Sequence, residues 1–248
     1  MSPKYDLEKI KYATDAPTFQ KAVGLYESGK VTQFKEGIGG YSAVVTGTKP
    51  YMVSVEARSY EYGHCNCYLG QKDVLCKHMV ALAIYAVKGG RPLTAKEMRL
   101  ATQPACSGKL ENLSQEELAS VKKSVTAAIR YIKPYEGPSR IWFSYQNSLS
   151  EGCNRLVQIV SDLPVSEQTA KLLVDLLLRL DDKICRGGVD DSNGTVGGFI
   201  EEVVQMLKGY VKLDPACAKA FRKLNGKETC FGWEKPLLEL LIDSKGLL

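Results

Sequence analysis

Apolar and polar positions follow two different periods along this chain. In residues 16–28, APTFQKAVGLYES, the side chains of Phe19, Val23 and Tyr26 fall on one face of a helix. Residues 30–58 then change to short β-branched and aromatic runs, KVTQF, YSAVVTG and YMVSVEA, separated by glycines and by GTKP. This pattern predicts one amphipathic helix followed by a three-stranded β meander.

The helical period returns after the meander. In MVALAIYAVKGG, apolar residues recur at helical spacing before a Gly-Gly pair, which predicts a helix from about His78 to Lys88. Residues 89–113 lack sustained periodicity and are interpreted as a connector with one helical turn near Lys96. Ser114 and Glu117 then have the spacing of a capping box.

Helical patterns continue to the end of the chain. The segments are ELASVKKSVTAAIRYI, CNRLVQIVSDL, SEQTAKLLVDLLLRLDDKI, GFIEEVVQMLKGYVKL, PACAKAFRKL and KPLLELLID. The predicted fold class is therefore α+β: a β meander and helix over residues 1–100, followed by an all-α domain of about six helices over 114–248. A bundle and a short helical array are both open, because no sequence repeat is apparent.

Composition limits the class of protein. The chain is 44% hydrophobic and 25% charged, and no run of eighteen apolar residues occurs. Its first residues carry frequent charges where a signal peptide would be apolar, so we expect a cytoplasmic protein without membrane contact. Eight cysteines in 248 residues are too few for a disulfide scaffold. Clustered cysteines are then expected to be ligands or nucleophiles.

One stretch holds such a cluster. GHCNCYLGQKDVLCKHMV, residues 63–80, contains three cysteines and both histidines of the chain. Cys65 and Cys67 follow a predicted strand at i, i+2, so both side chains point the same way. Cys76 and His78 can turn back toward them only where the next helix begins, since two residues rotate a helix by about 200°. These four residues form a Cys₃His set, typical of one structural zinc ion.

The order of these elements resembles the SWIM-type zinc finger over about residues 18–86. The matching features are LYESGKV, GYSAVVTGTKPYMVSV, the C-x-C and C-x-H pairs, and CKHMVALAI. The resemblance implies a zinc fold that binds DNA or protein as an accessory module. It places the four ligands at Cys65, Cys67, Cys76 and His78, and it does not extend to the helical domain.

Other interpretations of the cluster are weaker. His64 precedes Cys65 and points to the opposite strand face, so we expect it to be exposed or to support the ligands rather than replace His78. A thiol redox site would more usually be C-x-x-C, and a Cys76–His78 nucleophile and base pair would leave the other cysteines unexplained. A shell of four protein ligands also leaves no open position for catalytic water.

Two further sets of residues have simpler explanations. The cysteines outside the cluster are predicted to be small buried hydrophobic residues; they are Cys106, Cys153, Cys185, Cys217 and Cys230. Asp190 and Glu201 stand at positions 1 and 12 of a possible calcium loop, but position 6 is Thr195 where glycine is required. We therefore expect no calcium site.

Charge separates the two halves. Residues 1–100 carry 14 Lys and Arg against 9 Asp and Glu, whereas residues 101–248 carry 19 of each. A basic excess interleaved with aromatic residues favours contact with nucleic acid. The residues expected to make it are Arg58, Lys72, Lys77, Tyr60, Tyr62 and Tyr68.

The function expected is that of a non-enzymatic zinc-binding accessory protein. Its finger would bind DNA, and its helical domain would be an interaction module. The alternative is a protein-binding adaptor in which zinc is purely structural and no nucleic acid is bound. An enzyme with its site in the helical domain is a third interpretation, for which the sequence offers no residues and no small-molecule substrate.

Overall fold

A computed structural model gives the fold for residues 2–245, with side chains described as far as Leu241. Contacts divide the chain into two compact units, residues 1–100 and 101–248, and the terminal residues 1 and 246–248 of the predicted domains lie outside the described part. We call residues 1–100 the sheet unit and residues 101–248 the helical unit. The structure is mixed, with one antiparallel sheet near the N-terminus followed by helices, which confirms the coarse prediction.

The sheet unit contains helices packed on a four-stranded sheet. Its elements are α1 (Leu7–Ala13), α2 (Ala16–Glu27), β1 (Val31–Gly37), β2 (Gly40–Thr46), β3 (Pro50–Glu56), β4 (Gly63–Cys65), a 3₁₀ turn (Gly70–Lys72), α3 (Lys77–Lys88) and α4 (Ala95–Met98). The helix α1 was not predicted because its apolar residues are interrupted by lysines. Its start is nevertheless encoded, since the Asp6 carboxylate accepts a hydrogen bond from the Lys9 backbone N–H at 2.7 Å.

The sheet has the strand order β1-β2-β3-β4, so the predicted meander carries a fourth strand. Strand β3 has one buried and one exposed face, with Val53 and Val55 buried and Met52 and Glu56 exposed. The short strand β4 pairs with β3 through the register Val53↔Cys65. This register puts the first cysteine on the buried face of the sheet.

Helix α3 forms the centre of the sheet unit. It packs against α1, α2 and the sheet, and every residue from 78 to 84 is buried. The helix ends at Gly89, whose φ of 60° is the left-handed conformation that glycine adopts most readily. The cysteine cluster therefore leads directly into the most buried helix of this unit.

The helical unit contains longer helices around one core. Its elements are α5 (Gln115–Ile129), a 3₁₀ turn (Ser139–Ile141), α6 (Trp142–Ser161), α7 (Glu167–Cys185), α8 (Thr195–Leu213), a 3₁₀ helix (Pro215–Leu224) and α9 (Lys235–Lys245). The capping box of α5 is present as predicted. Side chains from all of these helices except the short turn share a single hydrophobic cluster, which favours a bundle over a stacked array.

Two boundaries of the helical unit differ from the predictions. Helix α6 begins at Trp142 rather than Cys153, because Tyr145 and Leu149 provide a buried face that the intervening polar residues obscure in sequence. Gly152 lies inside this helix where α6 closely approaches the end of α5, since a Cβ there would lie 3.3 Å from the Ala128 carbonyl oxygen and 2.8 Å from Ile132 Cγ1. The predicted helix PACAKAFRKL is a 3₁₀ helix.

Part of the predicted connector belongs to the helical unit. The backbone N–H of Ala105 donates to Ser161 Oγ at 3.1 Å, and that of Val165 donates to the Lys109 carbonyl at 2.7 Å. The backbone N–H of Leu113 also donates to Gln168 Oε1 at 3.0 Å. These bonds tie residues 101–113 along α6 and α7, although their sequence has no helical or strand period.

Candidate metal centre

Four predicted ligands come together in the sheet unit. One donor atom from each of Cys65, Cys67, Cys76 and His78 lies within 4.8 Å of every other. All four side chains are buried, with 0%, 6%, 1% and 4% of their surface exposed, respectively. Buried polar donors facing a common point are a costly arrangement unless they have a shared partner.

The first pair is placed by the edge of the sheet. Cys65 ends β4, and Asn66 continues the pairing because its Oδ1 accepts from the Met52 N–H at 3.0 Å. This bond keeps the chain extended to Cys67, whose sulfur accepts a hydrogen bond from the Gly70 N–H at 3.3 Å. Both sulfurs therefore face the same side, as the C-x-C spacing predicts.

The second pair is placed by the start of α3. Cys76 is the N-cap residue and has an extended backbone, with φ −121° and ψ 160°, while His78 lies in the first turn. The extended cap lets two residues that a regular helix would separate face the same point. The Nδ1 atom of His78 lies 3.8 Å from the sulfurs of both Cys65 and Cys76.

The thiols have unequal acidity. The pKa of Cys76 is lowered to about 4, chiefly because the Cys65 thiol donates a hydrogen bond to the Cys76 thiolate, with His78 contributing in the same direction against the effect of burial. The pKa of Cys65 is raised, because its proton is held in that hydrogen bond and burial disfavours a second anion. The lowered pKa of Cys76 favours its thiolate form, which suits the cluster to bind a cation.

Two glycines make the cluster compact. A Cβ at Gly70 would lie 2.2 Å from the Cys65 carbonyl oxygen and 2.6 Å from its Cβ. A Cβ at Gly47 would lie 2.8 Å from Nε2 of His78. Backbone at these positions approaches the ligands more closely than any side chain would allow.

The far side of the His78 ring is apolar. The ring of Tyr51 lies against it with centroids 4.4 Å apart, and Nε2 is buried without a hydrogen-bond partner among the described residues. The hydrogen-bonding direction left to His78 is therefore Nδ1, which faces the sulfurs of Cys65 and Cys76. Three thiols and one imidazole nitrogen are donors suited to a metal ion, and this cluster could hold one.

The sequence did not single out Gly47, Tyr51 or Gly70. Their roles are to shape and cover the cluster, and each acts through a spatial contact with a ligand. Gly70 lies in the loop between the two ligand pairs. The only sequence feature that could have indicated its role is that a glycine in this loop permits a tight turn. Nothing in the spacing of Gly47 and Tyr51 indicates that they meet His78.

The residues predicted to contact nucleic acid differ in how far their side chains are exposed. Tyr62 and Tyr68 are 65% and 71% exposed, and the Lys72 ammonium donates to Tyr68 Oη at 2.7 Å. Arg58 is exposed and Lys77 is half-buried.

Tyr60 is a correction to the prediction. Its side chain is 1% exposed, its hydroxyl lies 3.0 Å from Thr14 Oγ1, and its ring packs edge-on against Tyr5. A buried ring has no free face on which a base could stack. Tyr60 therefore belongs to the core of the sheet unit, and its aromatic character alone could not distinguish that role.

His64 lies where the sequence predicts, and hydrogen bonds tie the acidic loop to the start of α8. His64 is exposed, opposite Ser54 on the outer face of the sheet. In the loop before α8, the Asp191 carboxylate accepts hydrogen bonds at 2.8 Å from the N–H groups of Val196 and Gly197. That carboxylate caps the helix, so the acidic character of the loop has a structural explanation.

The other cysteines divide into two groups. Cys153 and Cys217 are buried as predicted, and Cys106 is half-buried. The prediction was wrong for Cys185 and Cys230, which are exposed and joined by a disulfide. Cysteines 45 residues apart in sequence meet here because the chain folds back on α7, which no local spacing indicates.

Comparisons with known proteins identify no relative: no family model, no curated protein and no solved structure matches this chain. In the described part of the chain, no helix combines the length and the apolar character needed to cross a membrane. The site is therefore interpreted from its own geometry.

Proposed function

We propose that the cluster binds one structural zinc ion and that the sheet unit is a SWIM-like finger that binds DNA. The observation that carries the proposal is the convergence of the donor atoms of Cys65, Cys67, Cys76 and His78 within 4.8 Å in a buried position. The donor set has the composition of closed structural zinc sites. The family resemblance supports the same four ligands.

The distances support zinc. In a tetrahedral site with Zn–S bonds of about 2.3 Å and Zn–N bonds of about 2.0 Å, sulfur and nitrogen lie about 3.5 Å apart. The corresponding separations from His78 Nδ1 are 3.8 Å to Cys65 and Cys76. These two separations exceed the tetrahedral value by about 0.3 Å, and the cluster has no fifth ligand among the described residues that would favour a larger coordination number.

A structural role follows from the surroundings of the cluster. The three cysteines are members of the hydrophobic core of the sheet unit, together with Met79, Val80 and Leu82. A four-ligand shell in such a core leaves no open position for substrate or water. We therefore propose that the metal stabilises the fold and that the protein is not an enzyme at this site.

The surface of the finger supports an anionic partner. Residues 1–100 carry the entire basic excess of the chain. Lys72 Nζ lies 4.3 Å from the ring centroid of Tyr68, so a cation and an exposed ring are held together. This combination suits contact with a phosphate and stacking on an adjacent base.

The test is a titration of the full-length, zinc-loaded protein with fluorescent single- and double-stranded DNA at several salt concentrations. We expect the logarithm of the binding constant for duplex DNA to fall linearly with the logarithm of salt concentration, with a slope of about 0.9 per phosphate contact. Changing Arg58, Lys72 and Lys77 together to Gln should reduce that slope by up to about 3 and weaken binding on every sequence.

A matched variant provides the control. Lys122, Lys123 and Lys212 are exposed lysines of the helical unit, and changing them to Gln removes the same charge. Equal weakening in both triple variants would show a nonspecific charge effect and contradict a site on the finger. Absence of binding at low salt would contradict DNA binding altogether.

The adaptor alternative has its own supporting observation. Phe143 and Ile141, at the start of α6, are 76% and 46% exposed in a unit of balanced charge. Exposed apolar side chains, aromatic ones such as Phe143 above all, are common in protein interfaces. If DNA binding is absent, crosslinking through a photoreactive amino acid at position 143 would identify a protein partner. No crosslinked product would argue against the adaptor function.

A further inference from the structure

The helical unit contains a cysteine pair with no role in the metal centre. Cys185 is the last residue of α7, and Cys230 lies in the loop between the 3₁₀ helix Pro215–Leu224 and α9. Their Cα atoms are 5.9 Å apart, within the range of about 4.4–6.8 Å that a disulfide requires. The pair therefore bridges two segments without any rearrangement of the backbone.

The loop that carries Cys230 is held in place independently of the sulfur bond. Asp181, one turn before Cys185, is 8% exposed, and its Oδ1 accepts hydrogen bonds at 2.9 Å from the Cys230 N–H and from Trp233 Nε1. Trp233 is itself buried in the core. Because these contacts do not need the disulfide, the two thiols stay close to each other after reduction.

Access distinguishes this pair from the metal-centre cysteines. Both Cys185 and Cys230 are exposed, whereas Cys65, Cys67 and Cys76 are buried. Exchange between thiols and disulfides requires an attacking thiolate to reach a sulfur atom. Exposed pairs are accordingly the reducible ones, and small reagents in solution can reach this pair.

We propose that Cys185 and Cys230 form a reversible redox-modification site, oxidised by a low-molecular-weight disulfide of the glutathione class. One cysteine thiolate attacks the small disulfide, which forms a mixed disulfide and releases one small thiolate. The second cysteine thiolate then attacks the protein sulfur of the mixed disulfide and releases the other. Two electrons pass from the pair to the small disulfide, and the two protons from the cysteines end on two small thiols.

Oxidation of Cys185 and Cys230 changes the stability of the helical unit. The bond links the end of α7 to the loop before α9, whose Leu237 and Leu241 belong to the core of the helical unit. A crosslink across 45 residues restricts the unfolded chain and raises the stability of the unit. Reduction would therefore lower the stability of the helical unit while the hydrogen bonds of Asp181 keep the loop in place.

The test uses the full-length protein equilibrated in mixtures of reduced and oxidised glutathione, then alkylated and digested with trypsin. Cys185 lies in the tryptic peptide 184–186 and Cys230 in the peptide 228–245, because trypsin does not cleave between Lys235 and Pro236. We expect the linked peptides to accumulate as the mixture becomes more oxidising. They should disappear when the mixture is returned to reducing conditions.

Two variants make the assignment specific. Cys185→Ser should leave a glutathione adduct on Cys230 and lower the Tm of the helical unit by about 10 °C under oxidising conditions. Under reducing conditions its Tm should equal that of the unmodified protein. Cys106→Ser, which removes a half-buried thiol of the same unit, should leave the linked peptides and the Tm unchanged.

Three results would overturn the proposal. Separate glutathione adducts on the two cysteines, without linked peptides, would show that the thiols do not exchange with each other. Linked peptides that persist in the most reducing mixture would show a permanent disulfide. A second zinc ion in the reduced protein that is lost in Cys185→Ser would show instead that Asp181, Cys185 and Cys230 bind metal.

Discussion

The two units of this protein fill their interiors in different ways. The core of the sheet unit contains three thiols, and the buried imidazole of His78 lies beside them. The core of the helical unit consists mainly of leucine, valine and aromatic side chains, with Cys153 and Cys217 as isolated members. The helical unit is therefore complete with its own side chains, whereas we expect the sheet unit to depend on a bound metal ion.

The same comparison applies to cysteine chemistry. In the sheet unit, burial brings Cys65, Cys67 and Cys76 together around one point. In the helical unit, the paired cysteines lie at the surface and the buried ones are apart. Position in the fold thus decides whether a cysteine can serve as a ligand, an exchangeable thiol or a packing residue.

The largest expected effect comes from removing a metal ligand. Cys76→Ser should abolish zinc binding and unfold the sheet unit, because structural zinc contributes on the order of 10 kcal/mol to small folds. The helical unit should remain folded. Zinc content and hydrogen exchange of residues 1–100 report on the first unit, and tryptophan fluorescence reports on the second, since both tryptophans lie beyond residue 100.

Cys217→Ser is the control for this experiment. It removes a thiol that is equally buried but lies outside the cluster, so zinc content should not change. Full zinc content and an unchanged melting curve for Cys76→Ser would refute the proposed metal centre. Simultaneous unfolding of both units would contradict the expectation that only the sheet unit depends on the metal ion.

A substitution of an apolar core residue tests the helical unit, which we expect to fold without a metal ion. Leu173→Ala removes a fully buried side chain from α7 and should lower the free energy of unfolding of this unit by about 2–5 kcal/mol. Urea unfolding followed by tryptophan fluorescence measures the change. Leu178→Ala, at a half-buried position of the same helix, should cost clearly less, and neither variant should lose zinc. Zinc loss in Leu173→Ala would show that the units depend on each other.

A smaller effect is expected from the glycine beside the first ligand. Gly70→Ala places a Cβ against the backbone of Cys65 and should destabilise the sheet unit by about 1–3 kcal/mol, with weaker zinc affinity. Competition with a chromogenic chelator measures that affinity. Gly24→Ala, in an open position of α2, should instead stabilise the unit by about 0.5–1 kcal/mol. Equal zinc affinity in both variants would mean that Gly70 does not position Cys65.

Much of the secondary structure was predictable because its signals are local. Helix α2 starts at a local cap, since the Asp15 carboxylate just before it accepts from the Thr18 N–H at 2.9 Å. The capping box of Ser114 and Glu117 and the glycine end of α3 are further examples. Helix α1 and the first half of α6 were missed, because their buried positions are separated by charged or polar residues and become apparent only from packing.

The candidate metal centre was predictable for a related reason. C-x-C at a strand end and C-x-H at a helix start each fix the direction of two side chains through backbone geometry alone. The placement of Tyr60 was not predictable, since an aromatic residue near the cluster can stack on a base or fill the core. Only the contact with Tyr5 and Thr14 decides between these possibilities.

The sequence by itself determined the elements and the paired donors, because caps, turns and side-chain periods act over a few residues. The tertiary structure alone decided that Gly47 and Tyr51 enclose His78, that residues 101–113 pack with the helical unit, and that Cys185 meets Cys230. Each of these contacts joins residues far apart along the chain. Such contacts form only when the cores bring distant segments together, and no local pattern encodes them.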